Sequence, residues 1–131
     1  MAIELDDDPA RIDIAAVHDY LANESYWAKG RPYDVVERLA REAQRVVGVY
    51  DGVRQVGFAR AFTDGVSLVY LADVYLLPEY RGQGLGLRLI CEMVERGPYG
   101  HLKWLLHTSD AHSLYARFGF GAPSERLMER P

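Results

Sequence analysis

Arg81-Gly82-Gln83-Gly84-Leu85-Gly86 sets glycine at alternate positions behind an arginine and just ahead of an apolar helical pattern. Each glycine loses extra backbone entropy on folding and weakens a helix start, so their clustering needs a reason. The first turn of a helix leaves backbone N–H groups unpaired and carries the positive end of the helix dipole. Without Cβ atoms at 82, 84 and 86, a large anion can approach those groups. That is the chemistry of a phosphate cradle, with the charge of Arg81 beside it. A permissive turn that binds nothing is the plainer alternative. A P-loop is excluded, because Leu87 and Arg88 follow Gly86 where Lys-Ser/Thr is required. A dinucleotide fingerprint is excluded too, since its last glycine would fall on Leu87 or Leu89.

Other residues capable of chemistry are sparse. Asp73 sits inside the apolar run "YLADVYLL", where an unpaired carboxylate is costly to bury. It serves either a site or a buried structural hydrogen bond. His18, His101, His107 and His112 lack metal-ligand spacing and Cys91 stands alone, so no metal site is expected. Ser109, Asp110 and His112 are too crowded at one helix start to align as a triad. No covalent enzyme intermediate is expected. Tyr26 and Trp27 offer cation–π faces to a cationic amine and Glu24 a counter-charge. An aromatic corner facing the core explains the two rings equally well.

The elements that position these residues follow from periodicity. "IDIAAVHDYLAN" reads as a helix capped by Asp13, with Ile14, Val17 and Leu21 on one face. Pro32 suits the first turn of a second helix carrying Val35, Val36, Leu39, Ala40 and Ala43. The period then becomes extended. "RVVGVY", "VRQVGFARAF" and "VSLVYLADVYLL" are separated by Asp51-Gly52 and Asp64-Gly65, which predicts three consecutive antiparallel strands. A helix from Leu85 stopped by Gly97-Pro98, a short strand "LKWLL", and a helix "SDAHSLYARF" follow. That last helix is capped by Ser109 or Asp110 and stopped by Gly119. "ERLMER" completes the pattern as an edge strand. The order ααβββαβαβ is an α+β architecture, a mixed and mostly antiparallel sheet flanked by helices. Residues 1–131 form one domain, with residues 1–10, including Asp6, Asp7 and Asp8, as a loosely ordered, solvated lead-in.

The chain has 131 residues, 49% of them apolar and 26% charged, as in ordinary globular proteins. A net charge of −4 argues against nucleic acid as a partner, and no apolar run is long enough for a membrane span. One cysteine and the lack of a basic, then apolar, leader make a cytoplasmic location the expectation.

Arg81-Gly82-Gln83-Gly84-Leu85-Gly86 resembles the R/Q-x-x-G-x-G/A motif of the GNAT N-acetyltransferase superfamily, preceded by a similar strand, "LADVYLLPEY". "DAHSLYARFGF" resembles the second cofactor motif of that family, an alanine and a tyrosine on a helix ending in Gly-Phe. With the element order, the resemblance spans nearly the whole chain. It implies acetyl-CoA as acetyl donor and an amine of a small molecule or peptide as acceptor, attacking directly in a ternary complex. By position, N–H groups from Gln83 through Gly86 would hold the pyrophosphate. Val74, Tyr75 and Leu76 would pair with the pantetheine arm as an added strand does, from a sheet splayed at that point. The same strand would supply N–H donors to the developing oxyanion.

Tyr115, four residues after Ala111 on one helix face, is implied as the acid for the departing thiolate. Packing alone is the alternative role for that ring. Thr108 departs from the asparagine many relatives carry. The base stays open among Asp73, Asp110, His112 and water, because Tyr70 or Ala72 stands where many relatives carry glutamate. Relatives are often homodimers, and the loop joining the first two helices builds their acceptor pocket. A catalytically silent acyl-CoA sensor is the competing reading.

Overall fold

A computed structural model describes residues 2–131; Met1 lies outside the described residues. Strands β1 (Ile3–Asp6), β2 (Arg45–Asp51), β3 (Arg54–Thr63), β4 (Leu68–Leu76) and β5 (Lys103–Leu105) form one sheet in sequence order. The first four run antiparallel, and β5 joins β4 in parallel. The Asp-Gly pairs turn the two hairpins, with Gly52 at φ 63° and Gly65 at φ 79°, a conformation that favours glycine.

Helices α1 (Ile14–Glu24) and α2 (Tyr33–Glu42) cover one face of the sheet. Asp13 caps α1 by accepting from the Ala16 N–H. Val17, Leu21, Val36 and Ala40 pack there with Val46, Phe58 and Tyr75. Helix α3 (Leu85–Ile90) continues into a π-turn, Cys91–Glu95, and with α4 (His112–Ala116) covers the other face. Leu85, Leu89, Ile90 and Met93 meet Val47, Val49, Val69 and Leu71 there. Strand β2 is buried on both faces, which is why it reads as an unbroken apolar run rather than an alternation.

Three details differ from the expectation. The acidic start is ordered: Ile3–Asp6 pairs with Gly48–Asp51 as an edge strand. Asp7 ion-pairs with the buried Arg45, and Asp8 caps a 3-10 turn at Pro9–Arg11. Their charges therefore have partners, which a charge-run reading misses. Second, "ERLMER" forms no strand. Third, α4 starts at His112 without a side-chain cap, and it is Thr108, not Ser109 or Asp110, whose hydroxyl accepts from the Ala111 N–H at 3.1 Å.

The sheet's departure from regularity lies in β4. Phe58 pairs with Tyr75 and Arg60 with Ala72, so Asp73 and Val74 together oppose Ala59. Asp73 has φ 55°, the only positive φ outside glycine among the described residues. This β-bulge turns the strand over. Val69 and Leu71 face α3 before it, whereas after it Val74 and Leu76 do, and Tyr75 packs under α1. Strand β5 pairs only with Leu68–Tyr70. From Leu71 to Leu76 the far edge of β4 has no strand beside it.

Candidate active site

The unpaired edge of β4 leads into the glycine loop. No backbone N–H from Gly82 to Leu87 donates to a protein acceptor among the described residues; the first helical bond runs from Arg88 N to Gly84 O. Gly84 occupies the N-cap of α3 without any side-chain cap. The glycines divide by role. Gly82 and Gly84 have φ 76° and 79°, and a Cβ on either would meet no protein atom within 4 Å. Both are demanded by the backbone turn, and that turn leaves open exactly the space a Cβ would fill. Gly86 has ordinary φ, and its Cβ would stand 3.8 Å from Leu114 and 3.9 Å from Leu76. It sets how closely α3 approaches α4 and β4. Leu85 buries its side chain in the core, leaving only its N–H for a ligand.

Arg81 is turned elsewhere. Its Nε donates to Leu76 O at 3.0 Å and its Nη2 to the Tyr20 hydroxyl at 2.9 Å, so it ties the loop to the end of β4. The Gln83 side chain donates to Glu79 O.

Across the open edge stands Tyr115 on α4. Its ring is buried, edge-on to Phe120 at 5.7 Å. Its hydroxyl has no hydrogen-bond partner among the described residues, yet is not sealed from solvent. Burial pushes the phenol up to about 12, with smaller contributions from Tyr26 and Asp110. Ala111, one turn earlier, accepts from the Leu114 and Tyr115 N–H groups and so anchors the helix start.

Asp73 faces the opposite side of the sheet. Its Oδ2 accepts from Arg60 Nε at 2.6 Å and Arg31 Nη1 at 2.9 Å, and its Oδ1 from Trp27 Nε1 at 2.8 Å. Burial by itself raises its pKa, but Arg60, Arg31 and Trp27 together hold the carboxyl below its ordinary value. A carboxylate so held is a poor proton acceptor, and no lone amine competes easily with two guanidinium groups. The geometry therefore argues against Asp73 as base or amine ligand and for the structural role.

Trp27 is exposed, edge-on to Tyr26 at 5.0 Å. The Tyr26 hydroxyl accepts from Ser109 N at 2.9 Å, tying the α1–α2 loop to the approach of α4. Both rings border the open edge, whereas Glu24 is exposed at the end of α1, in a groove with Asp19, Arg54 and Glu79. Sequence reasoning missed Arg31 and Arg60. The only signal was indirect: a buried aspartate demands cations, but long-range pairing cannot be assigned from spacing. Tyr70, which stands where many relatives carry glutamate, has its hydroxyl against His107 Nδ1, while His107 Nε2 lies 3.2 Å from Glu129.

A mixed sheet whose fourth strand is bulged and uncovered along one edge, opening onto a glycine turn rich in free N–H groups, defines an acyl-CoA N-acyltransferase-like fold. The acetyltransferase (GNAT) domain model matches residues 42–121, and the chain belongs to that family. A candidate acetyltransferase of Gibberella zeae is 30% identical over 127 residues, covering 80% of this chain and 71% of that protein. A solved structure from Xanthomonas campestris pv. campestris, assigned to the GNAT family, is 36% identical. It has a TM-score of 0.92 and covers 100% of this chain and 94% of that one. A candidate acetyltransferase of Clostridium acetobutylicum, solved with acetyl-CoA, shares the fold at 16% identity, with a TM-score of 0.74 over 98% of this chain and 96% of that one.

Proposed function

We propose that the protein transfers the acetyl group of acetyl-CoA to an amine by direct attack within a ternary complex. The observation that carries this reading is the edge of β4 at Leu71–Leu76, with no strand beside it, leading into the free N–H groups of Gly82–Leu87. An extended amide arm ending in a diphosphate fits that track: strand-like pairing suits the arm, and convergent N–H groups suit the anion. Val74 and Leu76 line the α3 side of the track, while the buried Tyr75, stacked on Tyr20 at 4.1 Å, holds the strand in place.

Acetyl-CoA supplies an activated thioester and a sulfur leaving group. The chain's own residues align it, donate hydrogen bonds where negative charge develops, and exclude water. Tyr115 is the donor available to the sulfur. With the phenol near 12 and a thiol near 8.5, complete proton transfer would be uphill by about 5 kcal/mol. Tyr115 therefore acts by keeping its proton and donating a hydrogen bond. The acceptor's ammonium proton leaves through solvent or the Tyr70–His107 pair, since Asp73 is committed to its arginines.

A hydroxyl left without a protein partner in a buried ring favours this reading over a silent acyl-CoA sensor. Release of free thiol from acetyl-CoA with a panel of amines tests it. Tight CoA binding without turnover on any amine would favour the sensor.

A further inference from the structure

We infer that the acceptor amine carries a carboxylate, bound by Arg60 and Arg31 on the α1–α2 side of the bulge. The inference rests on the acetyltransferase reading and names its substrate class. Two guanidinium groups converge on one carboxylate, and both bonds fall on the same oxygen, Asp73 Oδ2. One guanidinium suffices to balance the charge of Asp73, and Oδ1 is already taken by the neutral Trp27. The arrangement leaves a positive charge over, and it leaves donors over as well.

The Arg60 side chain is only 10% exposed and that of Arg31 20% exposed. Arg60 spends Nε on Asp73, while its Nη1 and Nη2 have no protein acceptor among the described residues. Neither of those nitrogens is sealed from solvent. An arginine nine-tenths buried whose fork has no protein acceptor relies on water or a ligand for the hydrogen bonds that compensate for desolvation. The planar fork matches a carboxylate in bidentate geometry.

The cluster also lies where an acceptor must enter. Asp73 lies within the stretch of β4, Leu71–Leu76, that β5 leaves uncovered, and Trp27 leads through Tyr26 to Ser109 and the start of α4. The Phe62 ring, stacked on Tyr70 at 5.1 Å, lies 5.6 Å from the Arg60 guanidinium. It offers the acceptor an apolar wall. Glu129 sits on His107, two-thirds exposed and screened by water, and the exposed Asp110 follows Ser109 at the approach to α4. A polyamine would meet net repulsion at the arginines, whereas an amino acid would be oriented by them with its amine free.

Calorimetry with N-acetylglycine and its methyl ester, on the CoA-bound protein, reads the carboxylate site without turnover. The acid is expected to bind about tenfold tighter or more, the ratio of a charge-assisted hydrogen-bond pair. Arg60→Gln and Arg31→Gln should each bring the ratio close to one. If Arg60→Gln does not fold, Arg31→Gln decides. Equal binding of acid and ester, or a preference that survives both substitutions, overturns the inference. O-phosphoethanolamine binding more tightly than glycine with the same arginine dependence would replace the carboxylate by a phosphate. In the turnover arm, glycine should outpace its methyl ester and putrescine in kcat/KM; putrescine as the better acceptor sinks the inference and spares the acetyltransferase reading. Arginine-dependent acid binding without thiol release from any amine does the reverse.

Discussion

Asp73 is held at φ 55°, which costs an L-residue about 1–2 kcal/mol, although aspartate tolerates it better than most. Three donors over-determine that geometry. Asp73→Asn keeps the shape and removes the charge, leaving Arg60 buried and uncompensated. A loss of about 3–5 kcal/mol in urea unfolding is expected. The pH dependence follows from the lowered folded-state pKa: stability from this group is present above the ordinary carboxylate value, about 3.9, and is lost as pH falls through the folded value. Acid titration of the wild type should show this loss, and Asp73→Asn should not. Tyr115 makes a different prediction. Tyr115→Phe removes a hydroxyl that bonds nothing in the protein, so CoA affinity should hold while kcat falls about a hundredfold. Collapse of CoA affinity instead would make the tyrosine a packing residue.

At the scale of elements, the turn between β4 and α3 combines two demands on glycine that the sequence pattern could not separate. Gly82 and Gly84 answer the backbone, and Gly86 answers the packing of Leu76 and Leu114. Gly84→Ala meets no protein atom, so its stability cost is conformational, about 1–2 kcal/mol. Its methyl group intrudes on the open space before the free N–H groups, and CoA affinity should drop by about tenfold or more in calorimetry. A variant that binds CoA normally would mean that the loop is only a turn. Further along, the π-turn at Cys91–Glu95 is stabilised by Arg45, whose Nη1 donates to Glu92 O and Met93 O. A Cβ on Gly97 would fall 2.4 Å from that nitrogen and 3.1 Å from Met93 O, so a side chain there would push Arg45 off the turn.

For the molecule as a whole, two cores on opposite faces of one sheet meet at the bulge, where β4 changes face. The α1–α2 loop reaches over the open edge to Ser109, so both faces contribute to one cleft. A ligand bridging them stabilises the native state by mass action. CoA at about 100 times its Kd should add about 2.7 kcal/mol, visible as a concentration-dependent rise in Tm. An unchanged Tm would count against the cleft as a CoA site.

Much of this was written locally. Periodicity and Asp-Gly turns mark the helices and hairpins, and Asp13 and Gly119 act where their chemistry suggests, because caps and turns are decided by neighbours in the chain. The glycine motif and the Ala111–Tyr115 pair likewise pointed to the family. Tertiary structure alone decided what Asp73 does, since Trp27 and Arg31 come from 46 and 42 residues away. It alone turned Arg81 from a supposed anion ligand into a tether for the loop, and made an edge strand of an acidic start. Charges are read from sequence as signs, but their partners are set by which strands and loops the fold brings within hydrogen-bonding distance.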